Sequence, residues 1–291
     1  GNAVENDTAT RTIDRAYELG INSFDTANGY ARGEAEKVVG AALAKYPRES
    51  YVLATKVFFP MGEGPNDRGL SRKHIMESAN ASLKRLDKDY VDILYCHRFD
   101  PEVPLTETLR ALDDLVRQGK VLYVGISEWT AAQIQEAMRV ADRLLLDRIV
   151  VNQPLYNMLD RKIEDEIIPV SRQVGIGQVV FSPLAQGMLT GKYKDLDHLP
   201  DGSRATNDKM NRFIQRYLNA ETLDKVRRLG AVADGLGIPL AQMALAWILE
   251  EDNVASALIG ASRPEQVDQN VKASGYVLPS DALEEIDRIL G

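Results

Sequence analysis

Residues 91–127 read VDILYCHRFDPEVPLTETLRALDDLVRQGKVLYVGIS, and the order of patterns inside this stretch decides the fold. Val91–His97 is a nearly unbroken apolar run, and so is Val121–Ser127. Strands of that kind are covered on both faces, the environment of a parallel sheet. Between them Leu105, Leu109, Leu112 and Val116 recur at helical spacing, so one face of the intervening segment is built to pack on that sheet. Strand, helix and strand make one βαβ unit. The rest of the chain repeats it. Further strands are predicted at Ile21–Thr26, Tyr51–Lys56, Arg148–Gln153, Gly177–Ser182 and Ala257–Gly260. A helix over Thr8–Leu19 precedes the first of them and stops at Gly20.

Such units build either an open doubly wound sheet or a closed barrel. The dinucleotide fingerprint of the open sheet is absent, because Gly175-Ile176-Gly177 is followed by Gln178, Val179 and Val180. Seven strands in regular alternation are one short of the eight that close a (β/α)8 TIM barrel. The chain opens on a helix, so the first strand of the barrel is expected just before Gly1. No Pro/Ser-rich linker interrupts the sequence, which predicts one domain over residues 1–291. Pro183–Tyr217 reads as a long loop, and Gly187, Gly191, Lys192, Arg204 and Arg212 within it suit a loop that covers a ligand.

Composition narrows the function. The 35 Lys and Arg against 43 Asp and Glu leave a net charge of −8, which opposes a general nucleic-acid partner and leaves a small anionic ligand open. The single cysteine, Cys96, excludes an intrachain disulfide. With only His74, His97 and His198 beside it, a closed structural zinc site is not expected. No apolar run approaches the ~20 residues of a membrane helix. The expectation is a cytoplasmic protein with no membrane insertion, acting on a small molecule.

In a (β/α)8 barrel the active site lies at the C-terminal ends of the strands. The first visible strand ends in Asp25, the second in Lys56 and the third in His97, and Tyr30 lies five residues past Asp25. Taken singly these are an N-cap, a solvated lysine, a barrel-end histidine and a packing residue. Together they suit carbonyl reduction. Hydride arriving at a carbonyl carbon leaves negative charge on oxygen, and a proton must be supplied. A tyrosine hydroxyl, with an ordinary pKa of about 10, becomes a better acid beside an ammonium. Asp25 would hold Lys56 charged, and His97 would orient the carbonyl. A Schiff-base aldolase using Lys56 is the other chemistry these residues allow.

Phe24-Asp25-Thr26-Ala27, Tyr30, Gly33-Glu34-x-Glu36, Thr55-Lys56 and His97 resemble the aldo-keto reductase signature. The likeness continues through Asn152-Gln153-Pro154, Ser182-Pro183-Leu184-Ala185-Gln186-Gly187, Gly191-Lys192-Tyr193 and Gly260-Ala261-Ser262. Gly69-Leu70-Ser71-Arg72-Lys73-His74 and the ending Glu285–Gly291 resemble the branch that holds the potassium-channel β subunits and their bacterial relatives.

The resemblance implies a (β/α)8 barrel that reduces aldehydes, and some ketones, with NADPH by direct hydride transfer, with no metal. It assigns the catalytic tetrad to Asp25, Tyr30, Lys56 and His97. Channel β subunits carry asparagine at the histidine position, so His97 favours a working reductase. For the cofactor it points to Ser127 and Gln153 near the nicotinamide carboxamide and Phe181 beside the ring. Ser182, Leu184, Gln186, Gly187 and Lys192 would line the pyrophosphate clasp, and Arg204 of the long loop would join Arg263 at the adenosine 2′-phosphate. Gly260, Ser262, Arg263, Gln266 and Asn270 would hold the adenosine end. Pro264 suits a first helical turn, which places Ser262 and Arg263 at a helix N-terminus. The resemblance also implies a homo-oligomer, and leaves a second role open: a redox-sensing, NADP(H)-binding regulatory subunit with slow turnover.

Overall fold

The computed structural model describes residues 6–201, 203–207 and 211–291. Among them, seven strands alternate with helices: β1 Ser23–Asp25, β2 Val52–Val57, β3 Val91–Cys96, β4 Val121–Ile126, β5 Ile149–Asn152, β6 Gly177–Phe181 and β7 Val254–Leu258. The helices are α1 Asn6–Glu18, α2 Glu34–Leu43, α3 Arg72–Leu86, α4 Leu105–Arg117, α5 Ala131–Leu144, α6 Ile167–Val174, α7 Ala220–Gly235, α8 Leu240–Leu249, α9 Pro264–Asn270 and α10 Ser280–Leu290. The strands lie side by side in chain order, β1 to β7, and the pairings from β1 through β6 are parallel. This is the order and alternation of a (β/α)8 barrel, with seven of its strands among the described residues. The expected strand ahead of Gly1 lies outside them.

The last strand corrects the sequence reading. It was expected at Ala257–Gly260 and runs over Val254–Leu258. Val254 is the buried residue of this strand, whereas Gly260 is exposed. The apolar end of the segment therefore marks the strand's exit and not its start.

The described residues form two compact units interleaved along the chain. One comprises the described residues up to Pro154 with Asp165–Gln178 and Gly260–Asp268, and the other Leu155–Glu164, the described residues from Val179 to Ile259, and Gln269–Gly291. The first holds β1–β5 and the start of β6. Its core joins strand residues Leu53, Leu94, Val124 and Ile149 to Leu43, Ile75, Leu112 and Ile134 of the surrounding helices. Helix α5 begins with a reciprocal cap in which the Thr130 hydroxyl accepts from Gln133 N–H and the Gln133 side chain accepts from Thr130 N–H. Helices α2 and α3 approach so closely that a Cβ on Gly40 would stand 2.1 Å from the Leu86 carbonyl oxygen, so only glycine fits there. The second unit buries Met188, Leu189, Ile214, Leu229, Met243, Ile248 and Ile286.

The stretch expected to be a long loop, Pro183–Tyr217, carries short 3-10 turns at Ala185–Thr190, Asn211–Phe213 and Gln215–Tyr217; residues 202 and 208–210 within it lie outside the described residues. No single helix is long and apolar enough to cross a membrane, and no cluster of metal-ligating side chains occurs among the described residues.

Candidate active site

Parallel pairing brings the strand ends together. Asp25 is the last residue of β1 and pairs with Ala54, two residues before Lys56. His97 follows β3, and its backbone N–H donates to the Val57 carbonyl at 2.9 Å. Lys56 is fully buried. Its ammonium donates to a carboxylate oxygen of Asp25 and, at 2.9 Å, to the Thr26 carbonyl. The second Asp25 oxygen accepts from Gln153 Nε2 at 2.9 Å. A buried ammonium is costly unless paired and hydrogen-bonded, and both conditions are met here. Two aromatic faces complete its surroundings, with Nζ 5.1 Å from the Tyr30 ring centre and 5.8 Å from that of Tyr95.

Tyr30 opens a short 3-10 turn, Tyr30–Gly33, and is 39% exposed. Its ring stands edge-on to His97 with centres 5.7 Å apart. The hydroxyl makes no hydrogen bond to Lys56 or His97 among the described residues. Lys56, drawn to Asp25 and the Thr26 carbonyl, lies over the ring, whereas the sequence reading placed its charge beside the phenolic oxygen.

His97 is buried, and its Nδ1 has no hydrogen-bond partner. Burial, reinforced by the charges of Lys56 and Arg98, pushes its pKa down to about 3. The imidazole is therefore neutral at ordinary pH and offers one N–H donor. The Phe59 ring packs edge-on against it at 4.7 Å. Sequence reasoning missed Phe59; the signal available was the aromatic pair Phe58-Phe59 just past a strand-end lysine.

Two neighbours are unsuited to chemistry. Burial, with the Asp25 charge added, raises the Tyr95 hydroxyl well above the ordinary phenol range. Its ring occupies the space a side chain at position 125 would need: a Cβ on Gly125 would lie 2.5 Å from it. Cys96 is fully buried, and burial pushes its thiol up to about 12, so the thiolate is not formed.

The remaining predicted residues fall in both units. In the first, Ser127 and Gln153 follow β4 and β5, both buried, and Ser127 Oγ donates to the Gln153 carbonyl at 2.8 Å. Pro264 opens α9 as expected. Ahead of it Ser262 N–H donates to Gln266 Oε1 at 2.7 Å, and Arg263 is exposed. Gly260 follows β7, and Asn270 is the last residue of α9.

In the second unit Phe181 ends β6, and Ser182 after it has the left-handed φ of 56°. Gln186 Nε2 donates to Ser182 Oγ at 2.6 Å, and Gln186 Oε1 accepts from Arg204. Leu184 precedes the turn that holds Gln186 and Gly187. Lys192 Nζ lies 3.3 Å from where a Cβ on Gly187 would stand. Burial lowers the Arg204 pKa, and the hydrogen-bond partner of its guanidinium is a neutral amide. Among the described residues neither Arg204 nor Lys192 pairs with a carboxylate.

The model of the Aldo/keto reductase family matches residues 1–290. A protein of Arabidopsis thaliana described as a probable voltage-gated potassium channel subunit beta is 43% identical, over 100% of this chain and 89% of its own length. One of Oryza sativa subsp. japonica with the same description is 42% identical over 99% of this chain and 88% of its own length. A putative voltage-gated potassium channel subunit beta of Schizosaccharomyces pombe is 43% identical over 96% of this chain and 83% of its own length. With the strand order, the alternation of helices and the Asp25–Lys56 pair at adjacent strand ends, these likenesses place the chain among oxidoreductases: it belongs to the aldo/keto reductase family.

Proposed function

We propose that the chain reduces aldehydes, and some ketones, to alcohols with NADPH, and that Tyr30 supplies the proton. The observation that carries this reading is the buried Lys56, paired with Asp25, beneath the ring of Tyr30, with the neutral His97 edge-on to the same ring.

When bound, NADPH supplies a hydride to the carbonyl carbon. Everything else falls to the chain. The His97 imidazole, uncharged and carrying one N–H, donates to the carbonyl oxygen and fixes its direction. Tyr30, partly exposed, meets that oxygen with its hydroxyl and releases the proton to it. The ammonium of Lys56 stabilises the phenolate left behind, and Asp25 holds that ammonium in place.

The residues present fit the cofactor. Arg204 and Lys192 are cations with no carboxylate partner among the described residues, and burial already works against the Arg204 charge. A phosphate is the anion such cations lack. Arg263 would read the adenosine 2′-phosphate, while Gln153 and Ser127 would face the carboxamide.

That the relatives are described as channel subunits favours a second reading, a regulatory subunit; in that reading the chain would bind NADP(H) and turn over slowly. A panel of aldehydes assayed by loss of NADPH absorbance separates the two. Repeated turnover on several aldehydes supports the reductase; one slow turnover followed by retained NADP supports the regulator.

A further inference from the structure

Tyr30 is held at both ends, and the grip ahead of it comes from a residue outside the tetrad. Asn28 is completely buried in the turn between Asp25 and Tyr30. Its side-chain Nδ2 donates to the Ser78 hydroxyl of α3 at 2.8 Å, and Ser78 is itself buried. Its backbone N–H donates to the Lys56 carbonyl of β2 at 3.2 Å. One residue thus ties the turn to the strand that carries the lysine and to the helix behind it. Thr26 N–H donates to the Ala54 carbonyl at 3.0 Å and Tyr30 N–H to that of Ala27 at 3.1 Å, so alternate backbone N–H groups from Thr26 to Tyr30 are anchored.

The far side of Tyr30 is strained. Ala31 and Arg32 take left-handed φ angles of 48° and 53° ahead of Gly33 at 90°. Left-handed backbone is unfavourable for residues with a Cβ and persists only where the surroundings impose it. Asn28 has a cost of its own, because its Oδ1 is buried with no hydrogen-bond partner. Alanine would avoid that cost. A polar side chain with an unsatisfied oxygen, placed between two members of the tetrad, is explained by the hydrogen bond its Nδ2 makes to Ser78, since the backbone bond to Lys56 would survive in alanine.

We propose that Asn28 is a positioning residue for proton transfer: by pinning the turn to Ser78 and to Lys56, it sets where Tyr30 stands over the buried ammonium. This rests on the reading of Tyr30 as the proton donor. Asn28 touches no reacting atom and acts only through Tyr30.

The test compares two backgrounds. In the wild type, Asn28→Ala should lower kcat about 10–100-fold, the scale of a misplaced catalytic group, with NADPH Kd and aldehyde KM nearly unchanged. In Tyr30→Phe, the same substitution should leave the residual rate as it is. Ser78→Ala, which removes the partner and leaves the turn's sequence intact, should lower wild-type kcat in the same direction and also do nothing in Tyr30→Phe. A role confined to stability would instead shift the melting temperature and lower activity by the same factor in both backgrounds, and that result overturns the inference. So would an Asn28→Ala enzyme with wild-type kcat. Should Asn28→Ala fail to fold, the Ser78→Ala comparison decides by the same outcomes. Failure of the underlying reading is distinguishable: Tyr30→Phe alone would then keep its turnover, which overturns both.

Discussion

Breaking the Asp25–Lys56 pair from either side should destabilise the protein, and removing both charges together should restore much of the loss. Lys56 is sealed from solvent, while the Asp25 side chain is 14% exposed. Asp25→Asn leaves the ammonium with the Thr26 carbonyl and two aromatic faces but no counter-charge. Stranding a buried charge costs about 3–5 kcal/mol. Unfolding entropy near 2.1 cal/mol/K per residue, taken over 291 residues, turns this into a fall in Tm of about 5–8 °C. Lys56→Met should cost less, because Asp25 keeps Gln153 Nε2 and some water. The double variant Asp25→Asn/Lys56→Met buries neither charge and should return to within about 1–2 kcal/mol of the wild type. Its kcat should stay down on the order of 10²–10⁴-fold, as in Lys56→Met, because the phenolate has no ammonium beneath it. Urea titrations of the four proteins, with matched slopes as the check on two-state behaviour, give the energies. Additive losses in the double variant, or singles that cost under about 1 kcal/mol, would refute the account of a compensated buried pair.

Arg263→Ala should weaken NADPH binding about tenfold or more and leave NADH nearly unchanged, since an arginine–phosphate pair contributes roughly 1.5–3 kcal/mol; titration with both cofactors measures it, and equal losses would remove Arg263 from the 2′-phosphate. Arg204→Ala should weaken both cofactors, because any phosphate suits a guanidinium without a carboxylate partner. His97 has a folded pKa of about 3, below its ordinary value of 6.5, so the unfolded chain binds more protons between those limits. Its contribution to stability is therefore complete above about pH 6.5 and is lost as pH falls toward 3. His97→Asn should flatten that slope by up to about 1.4 kcal/mol per pH unit, measured by denaturant titrations across the range; an unchanged slope would show that the imidazole is not held neutral.

The alternation of apolar runs and amphipathic helices made the barrel legible, because both faces of each parallel strand are covered. The strand ends of β1, β2 and β3 were legible for the same reason, and with them Asp25, Lys56 and His97. The start of β7 was not legible because Val254-Ala255-Ser256 is short and mostly small, whereas the stronger apolar signal, Leu258-Ile259, lies at its end. Long-range partners were not legible. Gln153 reaches Asp25 across 128 positions and Asn28 reaches Ser78 across 50, and a lone amide after a strand reads as an ordinary turn residue. Nor was the burial of Glu36 legible: it is fully buried, accepting from the Thr55 hydroxyl at 2.5 Å and Arg85 Nε at 2.6 Å. In the turn Tyr30–Gly33 the left-handed residues Ala31 and Arg32 are not glycines, so their backbone was not legible. The place of Lys56 over the Tyr30 ring depends on side-chain geometry that spacing does not encode.

The central claim is that a proton from Tyr30 accompanies hydride transfer to a carbonyl. Single-turnover oxidation of bound NADPH after mixing with an aldehyde tests it most directly, because cofactor release does not enter the rate. Tyr30→Phe keeps the ring over Lys56 and removes only the hydroxyl. The account predicts that this variant binds NADPH as the wild type does and transfers hydride on the order of 10²–10⁴-fold more slowly. Wild-type single-turnover rates in Tyr30→Phe on several aldehydes would contradict it and move the search for the acid to His97.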